Sequence, residues 1–467
     1  MKKIVPIIVS GGQGSRLWPM SRSSMPKQFI PIGADGKSLF QQTIERVGNP
    51  ELFLPPLVIC SKDHRFLVRD IAKNMGVKFI RTICEPIARN TAPAFCAGVL
   101  AAQDMYGDDA ALLILPADHF IPDAQMFQDT IVKALPLLEQ GKIITFGIHP
   151  ASPHTGYGYI ERAGSMGAGF GVKSFTEKPN VETAQTYLSS GQYFWNAGIF
   201  MVSPVDFIKE MKAFQPDIYT HVESAYKNAD IDLDDCILNQ NYFESAPKIS
   251  FDYAVMEHTK ESCVVPADFT WYDLGSWDAL WDISSKDDTG NVIIGDVIPQ
   301  QTSQSYLSSQ RQLLCTVGMD NIIVVATDDC VLVAPRQESE RIKTLIDVMT
   351  AQKRSELHHG RRLFRPWGYY EVIESQPSVS VRKVVVYPSK SLKTQQHNFR
   401  SEHWVVIKGQ ACVTISDIQK TYAVGHSIDI PVGSIHGLKN ESSESDLELI
   451  EVQVGDVINE DDIVRYS

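Results

Sequence analysis

Three kinds of segment are scarce in this chain, and each shortage removes a class of function. No apolar run approaches the roughly 20 residues that cross a bilayer. The opening MKKIVPIIVSGG gives way to glycines after too short a run for a secretory leader. No membrane partner is expected, and the expected compartment is cytoplasmic. Cysteine is sparse: eight residues lie between Cys60 and Cys412 without a C-x-x-C pair, which suggests neither a disulfide framework nor a structural zinc site. Blocks of lysine and arginine are missing as well. With 43 Lys and Arg against 56 Asp and Glu, no nucleic-acid groove is expected, and any cation that matters must act locally.

What is present is length and pattern. A chain of 467 residues exceeds one typical domain, so two or three are expected. Over residues 1–285, apolar β-rich runs (4–9, 57–61, 111–115, 143–147) alternate with helix-compatible stretches (39–47, 91–106), predicting an α/β domain with a mostly parallel mixed sheet. Residues 286–352 read as a small β-rich connector that closes in a helix over 338–353. Residues 353–365, KRSELHHGRRLFR, lack an apolar period and read as a linker with His358 and His359 exposed. From 366 to 467 the short runs 381–387, 403–407, 411–415 and 448–454, bounded by Gly, Pro, Ser and Asn, predict a small all-β barrel or jelly roll.

The chemistry begins where the first strand runs into Gly11, Gly12, Gly14 and Ser15, at the sheet edge where open α/β folds bind ligands. Glycines let backbone N–H groups converge on phosphate oxygens, and a helix starting there would add its dipole. An ordinary strand-to-helix turn is the plain alternative. Leu17 stands where G-x-G-x-x-G needs its third glycine, and no G-K-S/T follows, which disfavours a dinucleotide oxidoreductase or a P-loop kinase. Arg16 and Lys27 flank the loop in an otherwise acidic protein. Nucleotidyl transfer needs cations on the α-phosphate and the leaving pyrophosphate; Arg16 suits forked contacts and Lys27 a point charge. Magnesium prefers one or two carboxylates plus phosphate oxygens. Asp118 ends the apolar run ALLILPAD, and Asp273 lies in WYDLGSWDALW beside Gly275. A turn former and a core aspartate are the bland alternatives.

The ordered motifs GGQGSRLWPMSRSSMPKQF, EPIARNTAPA, LPADH, GYGYIE, FTEKP, FWNAGIFMV, SFDYAVME and WYDLGSWDALW resemble the bacterial mannose-1-phosphate guanylyltransferases, in the long form with a C-terminal cupin. The resemblance implies a Rossmann-like nucleotidyltransferase domain and Mg²⁺-dependent attack of mannose 1-phosphate on the α-phosphate of GTP. Under it, Gly11, Gly12, Gly14, Ser15, Arg16 and Lys27 hold the nucleotide phosphates, while Glu85, Arg89, Asn90 and Thr91 surround guanine and ribose. Asp118 and Asp273 hold magnesium. Gly158, Glu177, Lys178, Asn196 and Gly198 meet the sugar phosphate. A homo-oligomer, a dimer in the first instance, is expected. The alternatives are a transferase for another nucleotide or sugar 1-phosphate, or a non-catalytic sugar-nucleotide-binding regulator.

In the C-terminal part, the two-residue step from Gln395 to His397 places both side chains on one strand face, and Glu402 and His436 can converge from neighbouring strands. Such a donor set suits Zn²⁺ or Co²⁺. The likeness here is to type II mannose-6-phosphate isomerase cupins. This chain departs from them in having Asn398 and Phe399 in a motif usually richer in His and Arg, Gly437 after the second His, and Arg465, Tyr466 and Ser467 in place of an acidic Y-G-R tail. An active isomerase and a cupin kept for packing or dimerisation are both expected readings.

Overall fold

The apolar runs of the N-terminal half become the middle of an 11-stranded mixed sheet in the computed structural model, which describes residues 3–12, 14–32, 36–79, 81–458 and 460–466. In chain order the strands are β1 (Ile4–Ser10), β2 (Leu57–Ser61), β3 (Arg81–Glu85), β4 (Ala111–Pro116), β5 (His119–Phe120), β6 (Ile143–Ile148) and β7 (Tyr159–Met166). There follow β8 (Gly169–Thr176), β9 (Tyr193–Val202), β10 (Asp230–Asp232), β11 (Asp235–Ile237), β12 (Ser262–Pro266) and β13 (Tyr272–Asp273). The sheet order is β10-β11-β3-β2-β1-β4-β9-β6-β12-β8-β7, with β5 and β13 set apart as a two-stranded ribbon. From β11 to β4 neighbouring strands are parallel. Parallel neighbours need crossovers, and helices Leu39–Arg46, Arg65–Asn74 and Thr91–Tyr106 lie within the connections. The strands are apolar because both faces are covered. Helix Thr91–Tyr106 is buried all round from Ala92 to Ala102, so it has no polar face to give it an amphipathic period.

One expectation at the Gly-rich loop is corrected. After β1 the chain makes only short 3₁₀ turns, Ser15–Leu17 and Lys27–Phe29, and the first α-helix starts at Leu39. Among the described residues, no α-helix starts at the loop to add its dipole there. Pro19 and Pro26 lack N–H groups and interrupt any helix over this stretch.

The connector folds into short coils: β14 (Val292–Ile294), β15 (Val297–Gln300), β16 (Tyr306–Ser309), β17 (Leu314–Val317), β18 (Ile322–Ala326) and β19 (Val331–Pro335). β14, β16 and β18 stack in parallel, as do β15 and β17, in the manner of a parallel β-helix. The closing helix is Ile342–Ala351, entered through a 3₁₀ turn at Arg336–Arg341, so it begins later than the pattern suggests. Apart from residues 328–330, everything through Lys353 belongs to one compact unit.

The second unit comprises those three residues and Arg354–Ser467. Its strands are β20 (Arg362–Arg365), β21 (Gly368–Gln376), β22 (Val379–Val386), β23 (Ser391–His397), β24 (Arg400–Lys408) and β25 (Gln410–Ile415). The remainder are β26 (Ile418–Ala423), β27 (Ser427–Ile430), β28 (His436–Asn440), β29 (Leu447–Gly455) and β30 (Ile463–Arg465). They form two antiparallel sheets, β20-β21-β22-β29-β24-β27 and β26-β25-β28-β23-β30, around a core that includes Val384, Val386, Trp404, Val406, Leu438 and Leu449. This is the expected jelly roll. The linker reading is corrected at its end: Arg362–Arg365 pairs with β21 as an edge strand, whose charges suit an exposed edge. His358 and His359 are exposed.

Candidate active site and metal centre

Asp118 and Asp273 meet because β5 pairs with β13, setting His119 opposite Asp273. Lys27 comes to the same point from the 3₁₀ turn Lys27–Phe29 and is buried there. Its Nζ lies 3.0 Å from Asp118 Oδ2 and 3.0 Å from Asp273 Oδ1. Burial opposes the charge on Lys27, but the two carboxylates outweigh it and raise its pKa above the ordinary lysine value. Burial alone would raise the Asp118 carboxyl, yet Lys27 holds it at about 2. The carboxylates remain 39% and 40% exposed, so solvent and ligands reach them. Oxygens that already converge on one cation form a donor set that fits Mg²⁺.

The Gly-rich loop lies against this lysine. Gly14 has φ +53°, and a Cβ there would fall 2.3 Å from Lys27 Cβ, so glycine is required both by conformation and by space. Gln28, missed by sequence reasoning, donates from Nε2 to Ser10 O at 3.3 Å and Gly12 O at 3.4 Å, tying the loop to the end of β1. Gly12 is exposed. Arg16 is also exposed, with Nη1 3.7 Å from where a side chain on Gly275 would begin, which puts it beside the Asp273 turn. The Ser15 side chain lies outside the described residues. Glu85 ends β3, buried, with Oε2 3.7 Å from the corresponding point on Gly11; burial pushes its carboxyl up to about 8.

Arg89, Asn90 and Thr91 serve the backbone as the structure stands. Arg89 donates to Glu244 O. Asn90, at φ 68°, caps helix Thr91–Tyr106, and Thr91 Oγ1 accepts from Phe251 N at 2.9 Å. Two further groups behind the carboxylates were not anticipated. His119 Nδ1 accepts from Trp271 Nε1 at 3.1 Å, so a neutral ring carries its proton on Nε2, 4.0 Å from Asp118 Oδ1. Burial lowers the His119 pKa and favours that neutral form. Buried Arg46 donates to His119 O at 3.4 Å. His119 stood in the LPADH motif, but its support comes from residues far along the chain.

Gly158, Glu177, Asn196 and Gly198 come together around β9. A Cβ on Gly158 would lie 2.5 Å from Glu177 Oε2 and 3.4 Å from Asn196 Cβ, which explains the glycine. Lys178 Nζ donates to Glu177 Oε1 at 2.5 Å and stays 59% exposed, so it remains reachable by a phosphate. Asn196 Oδ1 accepts from Thr145 Oγ1 at 2.9 Å and from Gly198 N at 3.1 Å, while its Nδ2 donates to Asp252 Oδ1 at 2.9 Å.

In the jelly roll, β23, β24 and β28 bring His397, Glu402 and His436 together, all buried, with ligand atoms within 4.8 Å of one another. His397 Nε2 lies 3.1 Å from Glu402 Oε1, and His436 Nε2 lies 3.6 Å from Glu402 Oε2. Each Nδ1 faces a backbone carbonyl, Asp462 O at 3.3 Å and Ser434 O at 3.0 Å, an arrangement that turns both Nε2 atoms toward Glu402. Gln395 holds its amide 3.4 Å from both Nε2 atoms, and half a turn about its terminal bond brings the carbonyl oxygen to that place. Burial alone would raise the Glu402 carboxyl, but His397, His436 and Arg400 hold it at about 2. The donors fit a divalent transition metal.

Three family models match in succession: nucleotidyl transferase over residues 5–290, the mannose-phosphate isomerase/GMP-like β-helix domain over 295–349, and mannose-6-phosphate isomerase C-terminal over 352–467. The chain is 42% identical to the mannose-1-phosphate guanylyltransferase ManC of Salmonella typhimurium, over 100% of this chain and 98% of that one. It is 41% identical to the xanthan biosynthesis protein XanB of Xanthomonas campestris, over 100% and 99%. A structure described as mannose-1-phosphate geranyltransferase from Thermus thermophilus superposes with TM-score 0.66 at 30% identity, covering 74% of this chain and 99% of that one. Mannose-6-phosphate isomerase from Helicobacter pylori superposes with TM-score 0.51 at 30% identity, covering 58% and 100%. Matched from end to end at this identity, the chain belongs to the mannose-1-phosphate guanylyltransferase family, in the form that carries a mannose-6-phosphate isomerase C-terminal domain.

Proposed function

We propose that the chain transfers GMP from GTP to mannose 1-phosphate, giving GDP-mannose and pyrophosphate. A phosphate oxygen of the sugar attacks the α-phosphorus directly, and the bond to the bridging oxygen of pyrophosphate breaks. The observation that carries this reading is the bonding of Lys27 to both Asp118 and Asp273 beneath the Gly-rich loop. Backbone N–H groups of Gly11, Gly12 and Gly14 cradle the triphosphate, with Ser15 beside them. Arg16 forks onto the departing pyrophosphate, and Lys27 supplies a point charge to phosphate oxygen. Asp118 and Asp273 would hold Mg²⁺, which would neutralise phosphate charge. Glu85, Arg89, Asn90 and Thr91 surround base and ribose. Glu177 accepts sugar hydroxyls, with Gly158 and Gly198 leaving room, and Lys178 counters the sugar phosphate.

Product analysis tests the reading. GTP with mannose 1-phosphate is expected to give GDP-mannose with higher kcat/KM than ATP, UTP or glucose 1-phosphate. Preference for another nucleotide or sugar overturns that assignment, and binding without turnover favours a regulator. A cytoplasmic setting, where cysteines stay reduced, is part of the same reading. A homodimer is part of the same reading and is checked by sedimentation.

A second reading concerns the jelly roll, where the Nε2 atoms of His397 and His436 converge on Glu402 and favour a metal-dependent interconversion of mannose 6-phosphate and fructose 6-phosphate. Zn²⁺ or Co²⁺ would be held by Gln395, His397, Glu402 and His436. A coupled isomerisation assay on metal-loaded protein decides it; bound metal without turnover favours a structural cupin.

A further inference from the structure

Asp252 belongs to the SFDYAVME segment, for which the transferase reading has no use. It opens a π-helical turn, Asp252–Met256, a backbone form that recurs at functional sites. The segment before it is pinned to the start of helix Thr91–Tyr106: Thr91 Oγ1 accepts from Phe251 N at 2.9 Å, and Ala92 N donates to Ile249 O at 3.2 Å. Asp252 is thereby held on the nucleotide-side scaffold while its carboxylate reaches the sugar side.

The hydrogen bonds of Asn196 can be counted. Its Oδ1 accepts twice, from Thr145 Oγ1 and Gly198 N, which uses both lone pairs. Its Nδ2 donates once, to Asp252 Oδ1. Those three bonds exclude the flipped amide, since Nδ2 cannot accept from Gly198 N. Among the described residues, one Asn196 N–H has no protein partner, and it can be satisfied only by an acceptor. The groups around Asp252 are Glu177 and Lys178 from the segment after β8, Asn196 from β9, and Tyr253 on its own turn. Burial and then Glu177 push its carboxyl up to about 7, as expected where two carboxylates share one edge.

We propose that Asp252 is a positioning residue for the sugar 1-phosphate: it fixes the Asn196 amide so that one N–H meets a substrate oxygen. This rests on the transferase reading, and it adds to that reading a residue that selects among sugar 1-phosphates.

Steady-state kinetics of the full chain with Asp252→Asn, Asn196→Asp and both together provide the test. Loosening the bond that fixes the Asn196 amide predicts that Asp252→Asn raises KM for mannose 1-phosphate by about tenfold or more. Its KM for GTP stays within about twofold, since uniform loss of sugar binding leaves the nucleotide side alone. Preference for mannose 1-phosphate over glucose 1-phosphate narrows. The double substitution remakes the bond with donor and acceptor exchanged, so it returns the melting temperature toward the wild-type value and leaves the sugar KM high. An unchanged sugar KM in Asp252→Asn, or a double variant with wild-type sugar KM, overturns the proposal. Where Asp252→Asn alone does not fold, the double variant is decisive by itself. Wild-type protein that makes no GDP-mannose sinks the transferase reading instead, before any variant is compared.

Discussion

The ammonium of Lys27 and the carboxylate of Asp118 lie 3.0 Å apart, with Asp273 completing the contact from the other side at 3.0 Å. Such a lysine competes with a metal ion for the same oxygens. Lys27→Met is therefore expected to strengthen Mn²⁺ binding to nucleotide-free protein by on the order of tenfold, because a positive charge beside the site is lost. The same change should lower kcat/KM by about 10²–10³-fold, because a cation on the phosphates is lost. Mn²⁺ titration by electron paramagnetic resonance, run beside kinetics, checks both signs. Weaker Mn²⁺ binding together with slower turnover would mean that Lys27 orders the carboxylates rather than competing for them.

Two glycines of one loop should respond differently. Among the described residues, a methyl group on Gly11 meets Glu85 at 3.7 Å, an ordinary contact, whereas on Gly14 it would fall 2.3 Å from Lys27 Cβ at a φ of +53°. Gly11→Ala is expected to keep activity within about threefold, and Gly14→Ala to lose at least about tenfold through displacement of Lys27. Equal losses in kcat/KM would show that the loop rearranges on binding nucleotide.

Burial raises Glu85 to about 8, so the free protein holds it protonated at pH 7. Guanine offers N–H donors, which favour the ionised carboxylate. GTP binding near pH 7 should then release a proton, and affinity should rise as pH climbs toward about 8 and level off above it. Calorimetry in buffers of different ionisation enthalpy measures the release. Glu85→Gln should abolish the Glu85 part of it; an unchanged release in that variant removes Glu85 from the base site.

Metal removal should act on the jelly roll. Loading with Zn²⁺ or Co²⁺ at about 100 times Kd stabilises by about 2.7 kcal/mol if the unfolded chain does not bind. Chelation should lower the melting temperature of that unit, and His436→Ala should make the chelated and loaded proteins alike. Calorimetry on the full chain reports this without any activity assay. A melting temperature indifferent to metal would show that the three side chains hold none.

Much of the fold was legible because buried parallel strands are apolar on both faces, so residues 4–9, 57–61 and 111–115 stand out. The edge strand Arg362–Arg365 was not, because an exposed edge is charged and shows no apolar period. The connector's coils were only partly visible, since strands as short as Val292–Ile294 leave no repeat to detect. At the candidate site, Lys27, Asp118 and Asp273 stood out by residue type. Their contact depended on a two-residue ladder that joins positions far apart. Asp252 was hidden for the same reason: its meaning lies in Asn196, 56 residues earlier, and in a π-turn that no local pattern signals.

The most direct measurement is pyrophosphate release from GTP and mannose 1-phosphate by wild-type protein, Asp118→Asn and Asp273→Asn, with and without Mg²⁺. The predicted result is release that needs both substrates, stops on chelation, and falls by about 10²-fold or more in each variant. Release that persists without a divalent ion, or that matches wild type in both variants, contradicts the assignment of this cluster as the transferase centre.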